Sequence, residues 1–148
     1  MRYQLAQINV ARLLKPLDHP QIAGFVSQLD TINALAEQSE GFIWRLKDEV
    51  SNNATALNPY QDPLMIVNMS IWKDVDSLMN YVYKSAHVAV FKQRKLWFEK
   101  PSKAHMALWW VKEGDLPTAN DGKERLEYLQ KNGSTAYAFS FAKIFNPE

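Results

Sequence analysis

Apolar and polar residues alternate from Tyr3 to Leu13, with Leu5, Gln7, Asn9 and Ala11 on one side and Ala6, Ile8 and Val10 on the other. A period of two with β-branched residues predicts a strand. Pro16 and Pro20 interrupt backbone hydrogen bonding, so Lys15–Pro20 reads as a connection. From Gln21 to Gln38, Ile22, Phe25, Val26, Leu29, Ile32, Leu35 and Ala36 follow helical spacing, and Gly41 closes the segment. Phe42 to Asp48 alternates again as a second strand, and Ser51 to Pro63 is a polar loop. Leu64 to Trp72 is a third strand, with Met65, Val67, Met69 and Ile71 facing one way and Ile66, Asn68, Ser70 and Trp72 the other.

Asp74 offers a side-chain oxygen to the free amides of a helix through Leu78, Tyr81 and Val82. A further helical stretch is expected from Ser85 to about Glu99, stopped by Pro101, and a fourth strand from His105 to Lys112. Thr118 is a cap candidate for a helix through Arg125 and Leu129 that ends at Asn132-Gly133. The tail, Ala138 to Phe145, reads as an accessory strand or extended arm. This order predicts an α+β chain: a ferredoxin-like βαββαβ domain with an antiparallel sheet, spanning residues 1–148, with an extra C-terminal helix and arm. The strands are apolar on both sides while the helices of that pattern cover one, so a second copy of the chain is expected on the other, in a homodimer.

Composition narrows the function. The chain has 17 Lys+Arg against 16 Asp+Glu, a formal net charge of +1, which gives no electrostatic reason to expect nucleic acid or an anionic membrane as partner. It has no cysteine, which excludes disulfides, thiol nucleophiles and Cys-ligated metal. The N-terminal residues lack the apolar run of a signal peptide and no segment approaches a spanning helix, so a cytoplasmic location is expected. Phosphate-binding glycine loops, a GxSxG elbow and HxH or HExxH spacing are all missing from the sequence, so the expectation is no metal and no cofactor.

Polar residues inside apolar strands are the informative exceptions. Gln7 and Asn9 interrupt the first strand, Arg45 the second, Asn68 and Ser70 the third. If the first and third strands are neighbours, Asn9 and Asn68 approach each other, with Arg45 alongside. One reading of such a cluster is an internal hydrogen-bond network; the other is a small-molecule pocket lined by amides and aromatics such as Trp72. On a Ser85–Glu99 helix, His87, Phe91, Arg94 and Phe98 fall at i, i+4, i+7 and i+11, one face carrying an imidazole and a fixed cation beside two rings. The alternative is that Phe91 and Phe98 are core and Arg94 pairs with an acid. Haem held by His87 is a third possibility. His19 and His105 are read as incidental.

The segments Met1–Asn9, Leu29–Ala36, Gly41–Leu46, Asn68–Trp72, Tyr83–His87, Arg94–Phe98 and Leu108–Val111 together resemble a bacterial family, domain of unknown function 3291. The resemblance covers essentially the whole chain. It implies the dimeric α+β barrel superfamily, whose members include cofactor-free quinone-forming monooxygenases, haem-degrading enzymes and small-molecule lyases or isomerases. On that resemblance the leading expectation is a monooxygenase-like enzyme acting on an aromatic or polyketide-like molecule. His87 would serve as general base, and Arg94, Arg45, Asn9 and Asn68 would stabilise an enolate. Trp72 and Phe91 complete the expected substrate contacts. The rival is a non-catalytic dimeric ligand-binding protein.

Overall fold

The computed structural model describes residues 2–47, 59–84 and 92–147. Its sheet has four antiparallel strands: β1 (Tyr3–Arg12), β2 (Phe42–Arg45), β3 (Met65–Trp72) and β4 (Met106–Lys112), in the order β2-β3-β1-β4. The described α-helices are α1 (Ala23–Glu37), α2 (Val75–Lys84) and α3 (Ala119–Asn132). With β1 and β3 central and a helix in each crossover, this is the ferredoxin-like βαββαβ arrangement expected from the pattern, plus the C-terminal helix.

Each sheet face has its own cover. Ala6, Ile8, Val10, Val67, Met69, Ile71, Ala107 and Trp109 form one buried face with Leu126 and Leu129 of α3. The helix comes in close at Gly122, where a Cβ would sit 2.8 Å from Met69 Sδ and 2.9 Å from Ile8 Cδ1. Thr118 and Asp121 form a capping box at the start of α3, as the Thr118 signal suggested. The chain therefore covers with its own C-terminal helix the face that its strand pattern had assigned to a second subunit. Counting helices in the βαββαβ core alone had left α3 out of that balance.

The opposite face lies under α1 and α2 and carries two apolar clusters. One joins Leu5, Trp72, Leu78 and Leu108 to Ala36 of α1 and Phe139 of the tail. The other joins Leu13, Ile22 and Trp97, with Phe25 and Ile66 packed on it. Tyr81 of α2 stacks on Trp72 at 5.1 Å between ring centroids. The tail meets the free edge of β4 at one bridge, Leu108 with Phe139, and the Trp110 indole donates to the Phe145 carbonyl at 2.7 Å. It is thus an arm rather than a fifth strand.

Two local departures from the pattern matter. A register shift between Phe42 and Trp44 breaks the alternation of β2. Phe42 and Arg45 both face the α1 side as a result, while Trp44 joins the α3 side. The expected helix from Ser85 to Glu99 does not run through to its end: Lys92 is helical, but a turn at Gln93 and a 3-10 turn, Arg94–Leu96, follow it, and Phe98 bridges to Leu13. Sheet-edge pairing wins there, because the Leu14 N–H donates to the Trp97 carbonyl and the Glu99 N–H to the Arg12 carbonyl, both at 2.8 Å. The same turn sets Trp97 into the Leu13 cluster with 3% of its surface exposed. His87 and Phe91 lie outside the described residues, and Phe98 does not share a helical face with Arg94.

Candidate functional site

Between the two apolar clusters on the α1 side, the sheet carries a belt of polar side chains. Gln7 stands opposite Ser70, Asn9 opposite Asn68, and Arg45 opposite Ser70 on the other flank of β3. Directly opposed residues of antiparallel strands share a face. The belt is bounded by Leu5 and Trp72 at one end and by Ile66 and Leu13 at the other.

Hydrogen bonds fix the belt. Gln7 Nε2 donates to Asn68 Oδ1 at 2.7 Å and to Ser70 Oγ at 2.8 Å. Trp72 Nε1 also donates to Ser70 Oγ at 2.8 Å. Ser70 Oγ thus uses both lone pairs as acceptor, and its own proton remains to be donated. Accepting through Oδ1 likewise turns the Asn68 amide N–H groups away from Gln7. Gln7 and Ser70 are buried, Asn9 is half-buried and Asn68 is exposed, so the network opens at the Asn9–Asn68 end. Arg45 is buried and reaches Glu37 of α1, with Nη2 3.5 Å from Oε1. A buried neutral polar group costs about 1–3 kcal/mol unless it is hydrogen-bonded, and Gln7, Ser70 and Trp72 meet that need by bonding to one another.

Helix α1 passes over the belt. Ala36, near its C-terminal end, belongs to the Trp72 cluster, and Phe25, near its start, packs on the Trp97 cluster. Its middle turns therefore cross the polar region between them. Asn33 lies there, 8% exposed, one turn before the Glu37 that reaches Arg45. The burial of Asn33 was not singled out in the sequence. The signal was present in its spacing, since Leu29, Asn33 and Ala36 sit at i, i+4 and i+7 and the middle one is an amide.

Of the residues singled out in the sequence, Asn9, Arg45, Asn68 and Trp72 share this face, joined by Gln7 and Ser70. Arg94 is exposed on the turn before Trp97, and its charge acts on His105. His105 is held below the ordinary imidazole range, by burial first and by Arg94 second. His19 takes a local structural role, its Nδ1 accepting from the Gln21 N–H at 3.1 Å. Burial pushes Tyr81 up to about 12, and its hydroxyl lies 3.4 Å from the Ile32 carbonyl. No group of three His, Asp or Glu side chains converges as a metal centre among the described residues.

Two open grooves lie beside α2, with volumes of about 330 and 450 Å³. The first is lined by Glu40, Lys73, Asp74, Ser77 and Tyr81 among others, the second by Asp76, Met79, Asn80 and Tyr83. Asp74 there is held below the carboxylate range by hydrogen bonds from the Ser77 hydroxyl first and its backbone N–H second, which is helix capping. Neither groove includes a belt residue. Their polar groups are solvated or serve the fold, whereas the belt places polar groups where burial is costly. The belt is therefore the candidate site.

Across residues 4–148 the sequence matches the model of a domain of unknown function, DUF3291. The chain belongs to the DUF3291 family. No curated protein matches it. Among solved structures it is similar to a protein of unknown function from Nitrosomonas europaea, at 14% identity and TM-score 0.51 over 79% of this chain and 97% of that one. A protein from Pseudomonas aeruginosa is similar at 11% identity and TM-score 0.50, over 78% and 98% of the two chains. SnoaB, a cofactor-independent oxygenase from Streptomyces nogalater, matches at 15% identity and TM-score 0.47, over 77% and 97%. At these identities the first two likenesses establish the shared fold of this DUF3291 member and nothing about its chemistry. The third is too distant to bear on either. No described helix is long and apolar enough to cross a membrane.

Proposed function

We propose that the belt on the α1 side binds an aromatic or polyketide-like molecule through its carbonyl oxygen, and that the chain acts on it as a cofactor-independent monooxygenase. The observation that carries this reading is the double acceptance by Ser70 Oγ. It leaves the hydroxyl proton, with the Asn68 amide N–H groups beside it, to meet an oxygen that gains charge. Donors already oriented by a buried network stabilise an enolate without reorganising when the charge appears. Arg45 adds a buried positive charge on the same face.

The chemistry is the deprotonation of a methylene conjugated with the carbonyl through the ring system, followed by reaction of the carbanion with oxygen. A methylene and O2 give a carbonyl and water, so atoms and electrons balance with no further reductant. His87, the base in this reading, is assigned from its sequence position. Anthrone in air-saturated buffer tests the proposal through the absorbance of anthraquinone. His87→Ala is expected to slow turnover by about 10²- to 10⁴-fold with the melting temperature preserved. Conversion no faster than in buffer alone refutes the enzyme.

A second reading, a non-catalytic ligand-binding protein, is favoured by the internal closure of the Gln7–Asn68–Ser70–Trp72 network, which is complete without a ligand on its buried side. Binding of anthrone without turnover distinguishes it. The family resemblance further supports a twofold homodimer in the cytoplasm. A sedimentation mass equal to the 17.1 kDa monomer removes the dimer.

A further inference from the structure

Three exposed apolar side chains belong to segments that meet around Trp97: Leu14 is 38% exposed, Val26 41% and Leu96 59%. Trp97 itself is buried and holds these segments together. Its carbonyl accepts from the Leu14 N–H at 2.8 Å, and its indole lies against Gly24 of α1, where a Cβ would sit 3.4 Å from the ring. Gln21 Nε2 reaches the Leu96 carbonyl at 3.3 Å, which ties the approach to α1 to the same turn. Single exposed apolar residues are ordinary, but a group of them rimmed by charge marks a contact surface.

The rim is divided by sign. On the side of the turn, Lys92, Arg94 and Lys95 are exposed with no acid among them, and exposed Lys15 follows Leu14. On the side of α1 the chain has no Lys or Arg from 16 to 44 and exposes Asp18 and Asp30. A surface with its two signs in separate halves is complementary to its own copy after a half-turn, since each half then meets the opposite one. Val26 and Asp30 stand one turn apart on the same side of α1. A twofold axis at Val26 sets the two α1 helices antiparallel. Asp30 of each copy then comes level with position 22 of the other, next to the Gln21 that touches the basic turn.

We propose that the Leu14–Val26–Leu96 surface is the interface of a twofold dimer of this chain. Val26 meets Val26 at the axis, and the Asp30 side of each copy meets the Lys92–Lys95 turn of the other. The inference rests on the homodimer reading and is independent of the belt as a ligand site. A partner of one charge sign satisfies half of the rim and opposes the rest, whereas a second copy fits both halves. The net charge of +1 leaves little overall repulsion between copies.

The chain has no cysteine, so Val26→Cys puts a single thiol in each copy. A disulfide requires two Cα atoms within about 7 Å, which residues at the axis satisfy. After air oxidation Val26→Cys is expected to run as a covalent dimer on a non-reducing gel, and Asn80→Cys, beside α2, as a monomer. Sedimentation equilibrium gives a second readout. Lys95→Glu is expected to weaken the dimer about tenfold or more, and adding Asp30→Lys to recover most of that loss. A wild-type dimer that Val26→Cys fails to cross-link overturns this interface and leaves the homodimer reading standing. Cross-linking of Asn80→Cys as readily as Val26→Cys reports random collision and overturns the interface as well. A wild type that keeps the 17.1 kDa monomer mass up to millimolar concentration overturns both readings. If Val26→Cys does not fold, the charge exchange decides. Recovery by Asp30→Lys supports the interface, and a double variant no tighter than Lys95→Glu alone overturns it.

Discussion

Ser70→Ala puts a number on the network that defines the site. Two buried donors converge on Ser70 Oγ, each at 2.8 Å, from Gln7 and from Trp72. Gln7 keeps its bond to Asn68 after the substitution, so its loss is one ordinary hydrogen bond, about 0.5–1.5 kcal/mol. The Trp72 indole N–H keeps nothing. Its ring is fully buried against Phe42 and Tyr81, so the donor is left unsatisfied at about 1–3 kcal/mol. The void left by one oxygen is too small to hold a water that would replace the bond. The sum is a destabilisation of about 1.5–4.5 kcal/mol, a large share of the 5–15 kcal/mol typical of a domain. It corresponds to roughly 5–15 °C in Tm for a chain of this size.

Urea unfolding followed by tryptophan fluorescence measures it, with Trp72→Phe as the second arm of a double-mutant cycle. Removing the indole donor first should reduce the cost of Ser70→Ala by about 1 kcal/mol or more, since nothing is then orphaned. A Ser70→Ala protein within about 0.5 kcal/mol of the wild type would mean that the hydroxyl does not hold the two donors. The argument that the belt is organised by Ser70 would then fail.

Three further outcomes are expected. Gly41→Ala should cost about 2 kcal/mol or more, read as a fall in Tm, because Gly41 has φ +84° and its new Cβ would lie 2.1 Å from Ser77 Oγ; a neutral effect would contradict the close approach of that turn to α2. Thr118→Ala should cost about 0.5–2 kcal/mol by urea unfolding through loss of the capping box, and an unchanged midpoint would show that the box contributes nothing. His105 has a lowered pKa in the folded chain, so the unfolded chain takes up the proton first as pH falls. Stability present above about pH 6.5 should then decline on acidification through the imidazole range, and a Tm profile that His105→Gln fails to flatten would assign the decline to other groups.

Much of the architecture was legible in the sequence because the strands state their period plainly. Tyr3–Leu13 and Leu64–Trp72 are strand-length runs rich in apolar residues whose polar members fall on one parity, and β1 and β3 follow them to within about a residue at most boundaries. The caps at Asp74 and Thr118 were readable for the same reason, since a side-chain oxygen before an apolar-periodic run has a local partner. The Ser85–Glu99 stretch was misleading at its C-terminal end because helical spacing is a local property. The bridge from Phe98 to Leu13 joins residues 85 positions apart, which no window along the chain reveals. Coverage of the second sheet face by α3 was hidden likewise, as helix existence is local but helix placement is tertiary. At the site, the polar exceptions in β1, β2 and β3 announced the belt, and register brought them together. Arg45 joined its face only through the β2 irregularity, and Asn33 was obscured by a helix whose other apolar positions are mostly half-exposed.

The central claim is that the polar belt on the α1 side of the sheet forms a ligand site. Side-chain resonances of 15N-labelled protein during titration with anthrone under argon test it most directly. The account expects the amides of Gln7, Asn9 and Asn68 and the Trp72 indole to shift together along one saturation curve. Shifts confined to Asn80 in the grooves beside α2, with those four groups unmoved at saturation, would contradict it.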